Sequence, residues 1–148
     1  MMRLLNLIAP PRQLLVHTDG AIRPEKNVSG LAAVARDETG NIHAIWTRRV
    51  GRMTCNEAEY AAAILALESL RRVGVEKISI FSDSQVMVNQ MNGIASAQAP
   101  ALKQAQARLR ALVVQFHKVE FQHIPREQNR LADALANEAA DGKEQSYG

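Results

Sequence analysis

The alternation of apolar and polar residues predicts a chain that begins with strands and then alternates between helices and strands. Its strands are expected at residues 13–19, 30–37, 42–50, 75–82 and 118–124. Its helices are expected at residues 57–72, 84–92, 100–117 and 127–140. Residues 20–29 are polar and rich in turn formers, so a loop is predicted there.

The order of these elements indicates an α/β fold. Strands two and three are joined by a short turn with Gly40-Asn41, which favours an antiparallel hairpin. Each later strand follows a helix, which favours parallel crossovers. We therefore expect a five-stranded mixed sheet with helices on both faces. A single domain is predicted at 13–141, after an apolar N-terminal arm at 1–12 and before a flexible tail at 142–148.

Composition narrows the class of protein without identifying it. With 148 residues, 47% of them hydrophobic and 22% charged, the chain suits one globular domain. The net charge of +3 permits a nucleic-acid partner but does not establish one. Cys55 is the single cysteine, which excludes an internal disulfide and a zinc site of cysteine-rich spacing. No apolar run reaches 18 residues and the start is too short for a signal peptide, so we expect a cytoplasmic protein with no membrane contact.

Four acidic residues fall at the edges of four different elements. Asp19 and Asp83 end strands that we place side by side and parallel, at the sheet edge where α/β proteins bind ligands. Glu59 lies one turn inside its helix, and Asp133 lies early in the last helix. Gathering four carboxylates is costly unless positive charge lies among them. The pattern therefore predicts a pair of divalent metal ions.

Glu57 competes with Glu59 for a place in this cluster. Two residues along a helix differ by about 200° in direction, so only one of the two can face the sheet edge. Glu59 shares a face with small alanines suited to close packing, whereas Glu57 suits the first helical turn, where an acid complements the helix dipole. Taken singly, each acid could also be a plain turn former, a cap or a surface residue.

Four segments together carry a resemblance to type 1 ribonuclease H that extends from about residue 14 to 141. They are Thr18-Asp-Gly20, Thr54-Cys-Asn-Glu-Ala-Glu-Tyr-Ala-Ala63, Ser82-Asp-Ser-Gln85 and Asn129-Arg-Leu-Ala-Asp-Ala-Leu-Ala-Asn137. The His-x-Pro-Arg-Glu-x-Asn stretch, here His123 to Asn129, resembles the compact branch of that family. The resemblance implies the ribonuclease H-like fold and a metal-dependent endonuclease that cuts the RNA strand of RNA/DNA hybrids.

The resemblance also implies roles for the acids. Asp19 would bridge two Mg²⁺ ions, for which Mn²⁺ can substitute. One ion would be shared with Asp133 and activate water, and the other would be shared with Glu59 and Asp83 and stabilise the leaving 3′ oxygen. The products would carry 5′-phosphate and 3′-hydroxyl ends. His123 would assist turnover, and a structural role within the last strand is the alternative.

The implied substrate contacts are short polar side chains. Asn56, Gln85 and Asn27 would sense 2′-hydroxyls in the minor groove, and Thr54 would hold a phosphate of the DNA strand. Helix capping is the alternative for Thr54 and Asn56, and a plain loop role is the alternative for Asn27. The chain departs from many family members in the segment Ile22-Arg-Pro-Glu-Lys26, which replaces a glycine-rich run, and in Cys55, which replaces an amide.

Two other functions stay open from the sequence. A junction resolvase or an exonuclease of the same superfamily would use a similar acidic cluster, but the amides Asn56 and Gln85 favour RNA sensing. A hybrid-binding module without catalysis is the alternative from another class, and clustered negative charge near phosphate argues against it. No obligate protein partner is implied.

Overall fold

The computed structural model describes residues 11–143, so the predicted arm lies mostly outside the described residues and the tail lies there from 144 onward. The strands are β1 (Gln13–Arg23), β2 (Val28–Arg36), β3 (Ile42–Gly51), β4 (Lys77–Ser82) and β5 (Lys118–His123). The helices are α1 (Cys55–Leu70), α2 (Gln85–Met91), α3 (Pro100–Val113) and α4 (Arg130–Ala140). Single 3₁₀ turns occupy Pro24–Lys26 and Arg126–Gln128. None of the described helices is long and apolar enough to cross a membrane.

The five strands form one mixed sheet in the order β3-β2-β1-β4-β5. β2 pairs antiparallel with both β1 and β3, whereas β4 pairs parallel with both β1 and β5. This confirms the predicted α/β fold, because the first three strands form a meander and the last two return through helical crossovers.

Helices cover both faces of the sheet. Along β2, Ala33 and Ala35 pack with residues of α1, while Ala32 and Val34 pack with Leu135 and Ala136 of α4. Successive residues of a strand point to opposite faces, so α1 and α4 lie on opposite sides. α3 packs against α1 on the first side, and α4 spans β1, β2 and β3 on the second.

The predicted loop at 20–29 is wrong over most of its length. β1 continues to Arg23 and β2 begins at Val28, so the connection is reduced to residues 24–27. Gly20, which suggested a turn, pairs instead with Leu31, and a Cβ on it would lie 2.7 Å from Ala58. This glycine therefore allows α1 to approach the sheet closely.

Two helix predictions are also too long. α3 ends at Val113 rather than residue 117, and α4 begins at Arg130 rather than residue 127. Pro125 ends β5, and the 3₁₀ turn Arg126–Gln128 then redirects the chain before α4 starts. Neither overrun, at residues 114–117 or 127–129, contains a glycine or proline that would mark the helix boundary, so local preference alone did not reveal it.

Candidate active site

Asp19 and Asp83 lie where two parallel strands diverge. The pairing of β1 with β4 ends at His17 and Phe81, and each aspartate follows two residues later. Beyond this point β1 stays paired with β2, while the chain after β4 turns into α2. Asp19 was predicted at the end of its strand but lies inside it. It still borders the crevice that diverging strands open for a ligand.

Glu59 reaches the same crevice from the first turns of α1. Thr54 caps this helix: its Oγ1 accepts from the Glu57 N–H at 3.2 Å, and the Glu57 carboxylate accepts from the Thr54 N–H at 2.9 Å. This reciprocal cap employs Glu57 at the helix end. The Glu59 Oε1 instead accepts from the Gly20 N–H at 2.8 Å, which ties the carboxylate to the strand residue after Asp19.

The structure brings three of the predicted acids into one cluster and the fourth to its border. Asp19, Glu59 and Asp83 each offer a carboxylate oxygen within 4.8 Å of the others. Asp133 lines the same cavity of about 290 Å³, together with Gly20, Cys55 and Arg126. The Arg126 Nη2 lies 3.8 Å from the Asp133 Oδ1. The crevice is therefore lined by four carboxylates and the guanidinium of Arg126.

The protonation of this cluster reflects crowded negative charge. Burial and the charge of Asp83 raise the pKa of Asp19 to about 7. Burial and the charge of Asp19 raise the pKa of Glu59 to about 10. Asp19 and Glu59 therefore hold protons at higher pH than ordinary carboxyl groups, which lowers the negative charge of the cluster.

These residues fit a divalent metal. All four donors are hard carboxylate oxygens, which suit Mg²⁺, Mn²⁺ or Ca²⁺, and three of them already converge. A bound cation would displace the protons that burial and like charge hold on Asp19 and Glu59.

α4 carries Asp133 and is fixed to the sheet at two points. A Cβ on Gly30 of β2 would lie 2.0 Å from the Ala136 carbonyl oxygen, so only glycine admits this contact. The fully buried Asn129 donates from Nδ2 to the Thr18 carbonyl at 2.9 Å. Asn129 also accepts the Asp133 N–H at 3.0 Å through its own carbonyl. Asn129 thus links Thr18, the residue before Asp19, to the first turn of α4, which carries Asp133.

The other predicted residues lie around this crevice. His123 ends β5, is exposed, pairs with Ser82 and does not line the carboxylate cavity. Gln85, exposed at the start of α2, donates to the Asn89 Oδ1 at 3.0 Å, and Asn56 is half-buried in the first turn of α1. Asn27 adopts a left-handed conformation with φ of 54°, which explains an asparagine in this turn without a substrate.

A second cavity adjoins the crevice at the N-terminus of α1. It has a volume of about 510 Å³ and shares Cys55 with the carboxylate cavity. Thr54 lines it beside the side chains of Ile22, Pro24 and Arg52. Thr54, the predicted phosphate-binding residue, therefore caps α1 and also lines a cavity that contains Arg52.

Sequence reasoning missed the polar residues behind Asp133. Asn137 donates to the Asp133 Oδ1 at 3.3 Å, and Arg23 donates to the Asn137 Oδ1 at 2.8 Å. The spacing of four between Asp133 and Asn137 was a usable signal, because such residues share a helix face. The contact with Arg23 had no local signal, since it spans 114 residues.

Comparison with known proteins places the chain in a family. The profile described as "Reverse transcriptase-like" matches residues 17–139. Ribonuclease HI of Halobacterium salinarum is 36% identical over 137 residues, which is 91% of this chain and 69% of that protein. Bifunctional protein Rv2228c of Mycobacterium tuberculosis is 30% identical over 135 residues, but this chain spans only 37% of its length.

Solved structures agree with this assignment. RNase H1 of Halobacterium salinarum superposes with a TM-score of 0.82 at 36% identity, over 88% of this chain and 98% of that one. LC11-RNase H1, solved in complex with an RNA/DNA hybrid, gives a TM-score of 0.81 at 34% identity, over 87% of this chain and 97% of that one. Because the profile and the relatives match most of its length, the chain belongs to the ribonuclease H family.

Proposed function

We propose that this protein is a metal-dependent endonuclease that hydrolyses the RNA strand of RNA/DNA hybrids and leaves 5′-phosphate and 3′-hydroxyl ends. The observation that carries the proposal is the convergence of Asp19, Glu59 and Asp83 within 4.8 Å, with Asp133 in the same cavity. Membership of the ribonuclease H family supports it. The hybrid in the LC11-RNase H1 complex supports the same substrate class for this chain.

The proposed cofactor is a pair of Mg²⁺ ions, which Mn²⁺ can replace. When bound, such ions activate the attacking water and stabilise the leaving oxygen of an in-line displacement. Asp19 would hold both ions, because it is the least exposed of the four acids and interacts with the other three. Asp133 would complete one ion's ligands, and Glu59 and Asp83 would complete the other's.

The residues around the cluster have complementary tasks in this proposal. The Gly20 N–H holds the Glu59 and Asp19 carboxylates in place through bonds of 2.8 and 2.9 Å. Arg126 sits beside Asp133, where its positive charge can face substrate phosphate. Thr54 would hold a phosphate of the DNA strand, while Asn27, Asn56 and Gln85 would contact the minor groove. His123 would assist turnover from the exposed end of β5.

The test measures cleavage of an end-labelled RNA strand in three forms: an RNA/DNA hybrid, an RNA/RNA duplex and a single strand. With Mg²⁺ we expect internal cuts in the hybrid, new ends that a 3′-hydroxyl-dependent polymerase extends, and loss of both in EDTA and in Asp83→Asn. Stepwise shortening from one end would indicate an exonuclease instead. Binding of the hybrid without cutting in Mg²⁺ or Mn²⁺ would overturn the proposal in favour of a binding module.

A further inference from the structure

We propose that Asn137 is a positioning residue that sets the orientation of the Asp133 carboxylate, and that Arg23 holds Asn137 in place. This inference rests on the proposed function, because it concerns how one proposed metal ligand is presented. Asn137 lies one turn after Asp133 on α4. Its Nδ2 donates to the Asp133 carbonyl at 2.8 Å and to the Asp133 Oδ1 at 3.3 Å.

Arg23 stabilises the orientation of the Asn137 amide from its oxygen end. A guanidinium only donates hydrogen bonds, so the amide must turn its oxygen toward it. The Arg23 Nη2 donates to the Asn137 Oδ1 at 2.8 Å. The amide nitrogen is therefore left facing Asp133, where it meets the carboxylate. The Asp133 carbonyl and carboxylate oxygens only accept hydrogen bonds, so they favour the same orientation, and Arg23 secures it from the opposite end of the amide.

Arg23 is itself held by three further hydrogen bonds to two residues. Its Nε donates to the Asp141 Oδ1 at 3.0 Å, its Nη2 approaches the Asp141 Oδ2 at 3.3 Å, and its Nη1 donates to the Ile22 carbonyl at 3.0 Å. The side chain is only 23% exposed. Asp141 follows the end of α4, so the arginine clamps the end of β1 to the helix that carries Asp133.

The chemistry of this arrangement favours metal binding. A neutral N–H donor fixes the Asp133 Oδ1 without neutralising the carboxylate, so the charge stays available to a cation. Hydrogen-bonded partners behind a metal-ligating carboxylate commonly change metal affinity or activity by about 10–100-fold when they are removed. We therefore expect Asn137 to act on metal binding rather than on the stability of the fold.

The test compares Asn137→Leu, which keeps the side-chain volume, and Asn137→Ala with the unmodified protein. Mn²⁺ affinity is measured by calorimetry in the absence of nucleic acid, and kcat and KM for a hybrid are measured against Mg²⁺ concentration. We expect both variants to bind Mn²⁺ about 10-fold more weakly or worse. They should need more Mg²⁺ for half-maximal kcat and leave KM for the hybrid unchanged.

Arg23→Ala tests whether the arginine acts through Asn137. It should weaken Mn²⁺ binding, and the double variant Arg23→Ala/Asn137→Leu should be no worse than Asn137→Leu alone, because effects on one path are not additive. Arg12→Ala is the matched control, because it removes the same charge from an arginine that lies just before β1. The Arg12 side chain is 85% exposed and pairs with Glu76. It should bind Mn²⁺ as the unmodified protein does.

Two results would overturn the inference. Asn137 variants that lose thermal stability while keeping Mn²⁺ affinity would make the residue merely structural. An Arg23→Ala variant that changes only KM would make the arginine a nucleic-acid contact. Because Mn²⁺ binding is measured without substrate, these outcomes remain distinct from a failure of the unmodified protein to cut hybrids, which would overturn the proposed function instead.

Discussion

Replacing Asp83 by asparagine should abolish cleavage and stabilise the metal-free fold. Asp83 contributes a charge that raises the pKa of both Asp19 and Glu59. Asparagine has nearly the same shape and removes that charge. The variant therefore separates two effects of the clustered carboxylates: their repulsion, which lowers the stability of the metal-free fold, and their contribution to cleavage.

The magnitude follows from the geometry. At 4.8 Å, two unit charges repel by about 3.5 kcal/mol at an effective dielectric constant of ~20 and by about 0.9 kcal/mol in water. Asp83 is half-buried, so we expect an intermediate gain of about 1–2 kcal/mol at pH 8, where Asp19 is mostly ionised. For a protein of this size, that gain raises Tm by roughly 2–8 °C. At pH 5 the gain should nearly vanish, because Asp19 and Glu59 both hold protons there.

The assay is thermal unfolding in EDTA at pH 5 and pH 8, repeated with Mg²⁺. Bound metal should stabilise the unmodified protein more than Asp83→Asn, so the difference between them shrinks or reverses. Glu76→Gln is the control, because it removes the same charge from an exposed carboxylate that pairs with Arg12 outside the cluster. It should not be stabilised at either pH. An Asp83→Asn variant that is inactive and less stable in EDTA would make Asp83 a structural residue and refute the reasoning.

Three further predictions concern the acids and the helix contacts. Glu59→Gln should reduce hybrid cleavage by orders of magnitude while Glu57→Gln retains it, since Glu57 caps α1; equal losses in a single-turnover assay would contradict this. In EDTA the free energy of unfolding should fall by several kcal/mol between pH 4 and pH 7, because the folded state keeps the Asp19 and Glu59 protons that the unfolded chain loses. Above pH 7 Glu59 alone should continue the fall toward pH 10, and urea titrations that are flat in EDTA would be contrary evidence. Gly30→Ala should destabilise the fold by about 1–3 kcal/mol or more, because its Cβ would lie 2.0 Å from the Ala136 carbonyl. Gly51→Ala, which meets nothing within 4 Å, should be close to neutral in the same urea titration, and equal effects would refute the packing argument.

The sequence predicted the parts of the fold that local patterns encode. Alternating strands, alanine-rich helix faces and the Gly40 turn gave the strand directions and the mixed sheet. The extension of β1 was missed, because Gly20 and Pro24 are turn formers by local preference. In the structure Gly20 is instead needed for the approach of α1, which is a tertiary contact.

The four acids were predicted because each was expected at the edge of an element, a feature that a sequence reveals, although Asp19 lies inside β1. Their supporting residues were not, since these depend on contacts between distant segments. Asn129 reaches Thr18 across 111 residues, and Arg23 reaches Asn137 across 114. Arg23 was also assigned to a loop, where a clamp on α4 could not be foreseen. The catalytic and metal-binding roles of the four acids stay predictions, as do the roles of His123, Thr54, Asn27, Asn56 and Gln85.

The central claim is that the four carboxylates hold two divalent ions around Asp19. The most direct measurement is an anomalous difference map from crystals of the protein with a short RNA/DNA hybrid and Mn²⁺. The account predicts two peaks that both contact Asp19, one shared with Asp133 and the other with Glu59 and Asp83. A single peak, or peaks that leave Asp19 without a metal, would contradict it.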